Sequence, residues 1–140
     1  MYNGDSAVTE LDEEQCRERL ASQELGRLAV NVRDRLDIYP VNFAYDKGDI
    51  FFRTAPGTKL LELTIHTEVV FEVDGYSDSD GWSVVARGTA ERLERDEQID
   101  EAYRLPLRPW IPTVKTNWVR VHVTQLTGRH FARGPEPEAE

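Results

Sequence analysis

The stretch Asp37-Ile38-Tyr39-Pro40-Val41-Asn42-Phe43-Ala44-Tyr45, then Asp46-Lys47-Gly48, then Asp49-Ile50-Phe51-Phe52-Arg53-Thr54 largely alternates apolar with polar side chains on either side of a three-residue break. Alternation with period two sends one set of side chains to a core and the other to solvent. Asp-Lys-Gly between two such runs is a hairpin signal, because the turn needs left-handed backbone that glycine adopts freely. Residues 37–45 and 49–54 are therefore predicted to be two antiparallel strands. Toward the N-terminus, residues 28–32 alternate in the same way and connect through Arg33-Asp34-Arg35, which completes a meander. Toward the C-terminus, residues 68–76, 82–93 and 117–126 supply three more strands. The second of these is expected to bend at Gly88, and the third places Val119, Val121 and Val123 on one side. Six antiparallel strands predict a mainly β fold, a small closed barrel, since closure removes the unpaired edges of an open sheet.

Helical signals are short. Leu11, Cys16 and Leu20 sit at roughly helical spacing, so a helix is expected over residues 10–22, with Thr9 as its cap and Asp12 and Glu13 near its positive end. Leu60, Leu61 and Leu63 suggest a helix over residues 58–64, and another is expected over residues 96–104. Pro106, Pro109 and Pro112 exclude regular structure over residues 105–113. Residues 134–140 are rich in Pro and Glu and read as a disordered acidic tail, which leaves residues 1–133 as a single domain.

The chain has 140 residues, too few for two full-sized domains. Lys and Arg total 17 against 26 Asp and Glu, a formal charge of -9, and this argues against a general nucleic-acid binder. No apolar run approaches the roughly 20 residues that span a bilayer. Neither a secretory leader nor a membrane partner is expected, and the protein reads as soluble and cytoplasmic. The single cysteine, Cys16, excludes an intrachain disulfide and a cysteine-rich zinc site.

The segment with the most chemistry is Arg53-Thr54-Ala55-Pro56-Gly57-Thr58-Lys59. A strand ends, a Pro-Gly turn follows, and a helix is expected to begin. Free N–H groups at a helix start favour an anion. Arg53 offers a planar fork of donors, Lys59 a point charge, and Thr54 and Thr58 hydroxyls, a donor set suited to a phosphate. The alternative is a surface turn whose cations pair with Glu62 or Asp49. Neither a Walker loop nor a dinucleotide fingerprint is present.

These residues, with others, resemble a known family. Leu25-Gly26-Arg27-Leu28-Ala29, Tyr39-Pro40-Val41-Asn42-Phe43, Phe52-Arg53-Thr54-Ala55-Pro56-Gly57-Thr58-Lys59, Val70-Phe71-Glu72-Val73-Asp74 and Gly81-Trp82-Ser83-Val84-Val85-Ala86-Arg87-Gly88 are similar, in order and spacing, to the pyridoxamine 5′-phosphate oxidase-like proteins. Thr127-Gly128-Arg129-His130-Phe131 looks like that family's closing segment. The resemblance implies a six-stranded split barrel and a homodimer, with FMN, or alternatively the deazaflavin F420, in a groove at the dimer interface. It places Arg53, Thr54, Thr58 and Lys59 at the cofactor phosphate, and Pro40, Val41, Asn42 and Phe43 beside the isoalloxazine ring. It does not reach the substrate-binding residues of pyridoxamine phosphate oxidases, so vitamin B6 phosphate is not the expected substrate.

Trp82 opens a strand beside Gly81, where an aromatic ring could shield a flavin or pack across a dimer. Trp110 and Trp118 read as interface or pocket lining. His66, His122 and His130 lack chelating spacing and read as structural or surface residues. One of them could instead ligate haem iron, as in some split-barrel relatives, a less favoured cofactor. Asp74 to Asp80 reads as a solvated hairpin. The functional expectation is a flavin-dependent oxidoreductase acting on a small molecule. The rivals are a flavin- or haem-binding sensor or carrier without turnover, and a barrel that has lost its cofactor.

Overall fold

The computed structural model describes residues 7–55, 57, 68–110, 117–136 and 138. These form eight strands and two helices: β1 (Val8–Glu10), α1 (Glu13–Ala21), β2 (Leu25–Val32), β3 (Arg35–Asn42), β4 (Ala44–Asp46), β5 (Asp49–Thr54), β6 (Glu68–Tyr76), β7 (Asp80–Arg92), α2 (Asp96–Tyr103) and β8 (Asn117–Ala132). Every pairing is antiparallel. The strands lie in the order β3-β2-β6-β7-β8-β5-β4, with β1 added to the far end of β8. The end strands β3 and β4 are consecutive in the chain and β3 also touches β5, so the sheet curls on itself as a split barrel.

The two hairpins of the meander turn as the sequence requires. Lys47 and Gly48 both have positive φ (50° and 85°), and so do Arg33 and Asp34 (53° and 63°). Paired left-handed residues match the twist of the flanking strands. Alternation then fills the core. Leu28 and Val30 of β2, Ile50 and Phe52 of β5, Val69, Phe71 and Val73 of β6, Val84 and Ala86 of β7, and Val119 and Val121 of β8 are all buried. Cys16 and Leu20 of α1 join this cluster, and burial, with Asp12 and Glu13 nearby, raises the Cys16 thiol pKa. A second cluster forms on the outside of the barrel, where α2 packs Ala102 and Ile99 against Leu93, Phe51 and Trp118. The expected bend at Gly88 is a register shift between Arg87 and Gly88. A Cβ on Gly88 would meet the His122 carbonyl oxygen at 2.1 Å, so only glycine lets β8 pass this closely.

Three expectations are corrected. Thr9 does not cap α1; it lies in β1 opposite His130. The cap is Asp12, whose Oδ1 accepts from the Gln15 N–H at 2.8 Å while Gln15 Oε1 accepts from the Asp12 N–H at 2.9 Å. That reciprocal pair satisfies two donors at once, which a threonine four residues before the helix cannot do. The strand expected over residues 37–45 divides into β3 and β4 at Phe43, where the barrel turns its corner. The last strand does not stop at residue 126 but runs to Ala132, held by β7 and by β1. The described residues thus hold eight strands where six were expected, with the same fold class. The helix expected over residues 58–64 lies outside the described residues. No helix among the described residues is long and apolar enough to cross a membrane.

Candidate functional site

β5 ends and β8 begins side by side, with Arg53 opposite Trp118 and Thr54 opposite Asn117. The core takes Phe52 and Val119, so alternation turns Phe51, Arg53, Trp118 and Arg120 to the outer face, where α2 lies. The Arg53 guanidinium carbon is 5.1 Å from the Tyr103 ring centroid and 5.5 Å from that of Trp118. The two rings meet edge to face, 5.2 Å apart at 83°. Cation–π attraction to two rings at once holds a guanidinium in place. Thr54 and Asn117 are the two buried polar residues among those described, and both sit at this strand end.

A second group converges here. Carrying the β4–β5 register back by two residues sets Asn42 abreast of Arg53. The Asn42 side chain donates to the Glu24 carbonyl at 3.2 Å and accepts the Trp110 N–H at 2.8 Å. It thereby ties the proline-rich segment after α2 to the end of β3. Arg53, Thr54, Asn42, Tyr103, Trp110 and Trp118 all belong to one end of the barrel.

The other expected residues are placed as follows. Pro40 is exposed on the outer face of β3, opposite Arg27. Val41 packs partly against the core. The Phe43 ring is 2% exposed and stands edge-on to Phe71 at 4.8 Å, so its surface is taken up by the core. Thr58 and Lys59 lie outside the described residues. Trp82 is not part of this cluster. It pairs with His130 on β8, twelve positions beyond Trp118, a separation of roughly 40 Å along the strand. There it is buried, with Arg19 over its ring at 5.2 Å, beside an apolar cavity of about 620 Å³ that Tyr76 and Phe131 also line. His122 Nδ1 and His130 Nε2 are hydrogen-bonded to Asp49 at 2.9 Å and Asp80 at 2.8 Å.

A cavity of about 530 Å³ opens between α2 and the β4–β5 turn, with Phe51, two residues from Arg53, on its wall. Its cations face acids. Arg120, for example, contacts Glu91 and lies 4.0 Å from Asp49. Such a balanced lining has no surplus of positive charge to offer a phosphate.

The family model of pyridoxamine 5′-phosphate oxidase matches residues 12–130. The chain belongs to this family. A Corynebacterium glutamicum structure, described provisionally as a pyridoxamine 5′-phosphate oxidase, is 46% identical, with a TM-score of 0.85 over 97% of this chain and 99% of that one. An FAD-binding protein of Mycobacterium smegmatis is 38% identical, with a TM-score of 0.80 over 89% of this chain and 99% of that one. An uncharacterized Mycobacterium tuberculosis protein is 43% identical over 89 residues, 64% of this chain and 81% of its own.

The sequence reads Trp118 only as interface or pocket lining, and Tyr103 is not singled out by it at all. Trp118 carried a usable signal, since it alternates against Val119, Val121 and Val123 and so had to face away from the main core. Tyr103 carried none. It reaches Arg53, 50 positions earlier, only because α2 folds back over β5 and β8.

Proposed function

We propose that this protein is a flavin-dependent oxidoreductase that works as a homodimer on a small-molecule substrate and holds its cofactor by the phosphates at Arg53. The observation that carries the reading is the Arg53 guanidinium packed against both the Tyr103 and the Trp118 rings at one end of a family barrel. The flavin we propose is FAD, in place of the FMN or F420 expected from sequence, because the Mycobacterium smegmatis relative at 38% identity binds FAD. Arg53 would hold a phosphate edge-on, with Thr54 and, from the sequence reading, Thr58 and Lys59 beside it. Pro40, Val41 and Asn42 would border the ring. A bound flavin supplies the chemistry, giving or taking a hydride or electrons at its ring. The chain orients it and keeps water from one side.

An absorption spectrum of the purified protein, with mass spectrometry of what denaturation releases, tests the reading. A flavin spectrum and the mass of FAD are expected, as is reoxidation of the reduced protein on adding a quinone or nitro compound. A colourless protein that takes up neither FAD, FMN nor F420 would overturn it. Bound flavin that no acceptor reoxidises would leave a carrier in place of an enzyme.

A further inference from the structure

We propose that Trp118 is a second phosphate-binding residue, its indole Nε1–H donating to an oxygen of the group that Arg53 holds. The inference rests on the flavin reading above and adds a donor to it. Trp118 is 2% exposed, and its Nε1 is buried with no hydrogen-bond partner among the described residues. Most buried polar groups in folded proteins are paired, because an unmet donor has lost its water and gained nothing. Phenylalanine would fill most of the same space without that cost. An indole N–H can only donate, so its missing partner is an acceptor.

The surroundings say which kind of acceptor. Arg53 is the cation that lies over this ring among the described residues, its guanidinium carbon 5.5 Å from the Trp118 centroid. In this proposal one phosphate group takes hydrogen bonds from both the guanidinium edge and the indole N–H. Two donors this close call for a group with several acceptor oxygens, a phosphate or diphosphate ester. Nε1 is closed to water, so a ligand reaches it only if a neighbour moves, and we assign that movement to Tyr103. Its ring stands edge to face with Trp118 at 5.2 Å, it is the last residue of α2, and half of it is exposed. Tyr103 packs against both Arg53 and the indole, so an outward swing would loosen its cover on the two donors together.

The test uses protein labelled with ¹⁵N-tryptophan. Its three indole signals, from Trp82, Trp110 and Trp118, are assigned with single Trp→Phe variants and followed while FAD, riboflavin and inorganic pyrophosphate are added in turn. With FAD and with pyrophosphate, the Trp118 indole proton should move downfield and exchange more slowly with water. Riboflavin, which has no phosphate, should leave it unmoved. Trp118→Phe should weaken FAD and pyrophosphate binding by about 10-fold or more, while the free variant melts no lower than wild type. If FAD binds while the Trp118 signal stays in place and Trp118→Phe binds as tightly as wild type, the inference is wrong and the flavin reading stands. If wild type takes up neither FAD nor pyrophosphate, the flavin reading fails and this inference falls with it. Should Trp118→Phe not fold, Trp82→Phe and Trp110→Phe still assign the third signal, and its response decides.

Discussion

A guanidinium packed on two aromatic rings has given up most of its rotamers before a ligand arrives, so binding costs little further ordering. Arg53 is in that position. Arg53→Ala is expected to remove about 1.5–3 kcal/mol of charge-assisted hydrogen bonding, roughly a 10- to 150-fold weaker Kd for FAD. Arg53→Lys should recover only part of this, because lysine keeps the charge but loses the fork and the stacking. Calorimetric titration of the three proteins measures the order, and equal affinities would remove Arg53 from the site. Arg53 was legible because strand, Pro-Gly turn and cations are neighbours in sequence, whereas Tyr103 was not because folding alone brings it there. Glu72 was not singled out for the same reason. Burial, then the hydrogen bond and charge of Asp74, push its carboxyl up from 4.5 to about 7, partly offset by Arg27. Between those values the folded protein holds a proton that the unfolded chain has released. Stability contributed by the protonated carboxyl is therefore full below pH 4.5 and lost as pH rises toward 7. Glu72→Gln, which stays neutral, should gain stability relative to wild type across that window, measured as the difference in urea midpoint with pH. Parallel curves for the two proteins would show that Glu72 titrates normally.

Elements were legible where their signals are local. Both hairpin turns, the alternation of β2, β5, β6 and β7, and the bend at Gly88 follow from neighbouring residues. The break at Phe43 does not, since nothing in Val41-Asn42-Phe43-Ala44 stops a strand. It arises because the barrel must turn there and sinks Phe43 into the core. The α1 start was misplaced because Thr9 and Asp12 both have capping side chains, and only the pairing of β1 with β8 removes Thr9 from contention. Asp12→Ala should cost about 1 kcal/mol, whereas Thr9→Ala on the exposed β1 should stay within about 0.5 kcal/mol of wild type. Urea unfolding of both decides the cap, and the reverse order would restore Thr9. The bulge in β7 allows a similar pair. Gly88→Ala forces a methyl against the His122 backbone and should cost roughly 1–3 kcal/mol. Gly134→Ala, with nothing within 4 Å, serves as the neutral control.

At the scale of the whole molecule, the barrel leaves one face that does not suit a monomer. Leu36 and Ile38 are 78% and 65% exposed on β3, the end strand of the sheet, and Pro40 continues their row. Ala29 and then Val70 lie beside Ile38 across β2 and β6, so the apolar stripe spans three strands. An exposed apolar stripe on an edge strand invites aggregation unless something covers it. A second copy is the partner we propose, since isologous dimers are the commonest assemblies and a shared apolar face can offset the repulsion between two chains of charge -9. The position of the stripe also matters for the cofactor. It ends at Pro40, two residues before Asn42, so an interface built on it adjoins the Arg53 cluster. A groove there would be walled by both copies, whereas within one chain Trp82 sits at the opposite end of the sheet. Light scattering should give twice the chain mass of 16.1 kDa. Leu36→Glu with Ile38→Glu should yield folded monomers, and FAD affinity should fall with the dimer even though neither residue belongs to the Arg53 cluster. A double variant that remains dimeric would place the interface elsewhere. Monomers that bind FAD as tightly as wild type would show that one copy completes the groove alone.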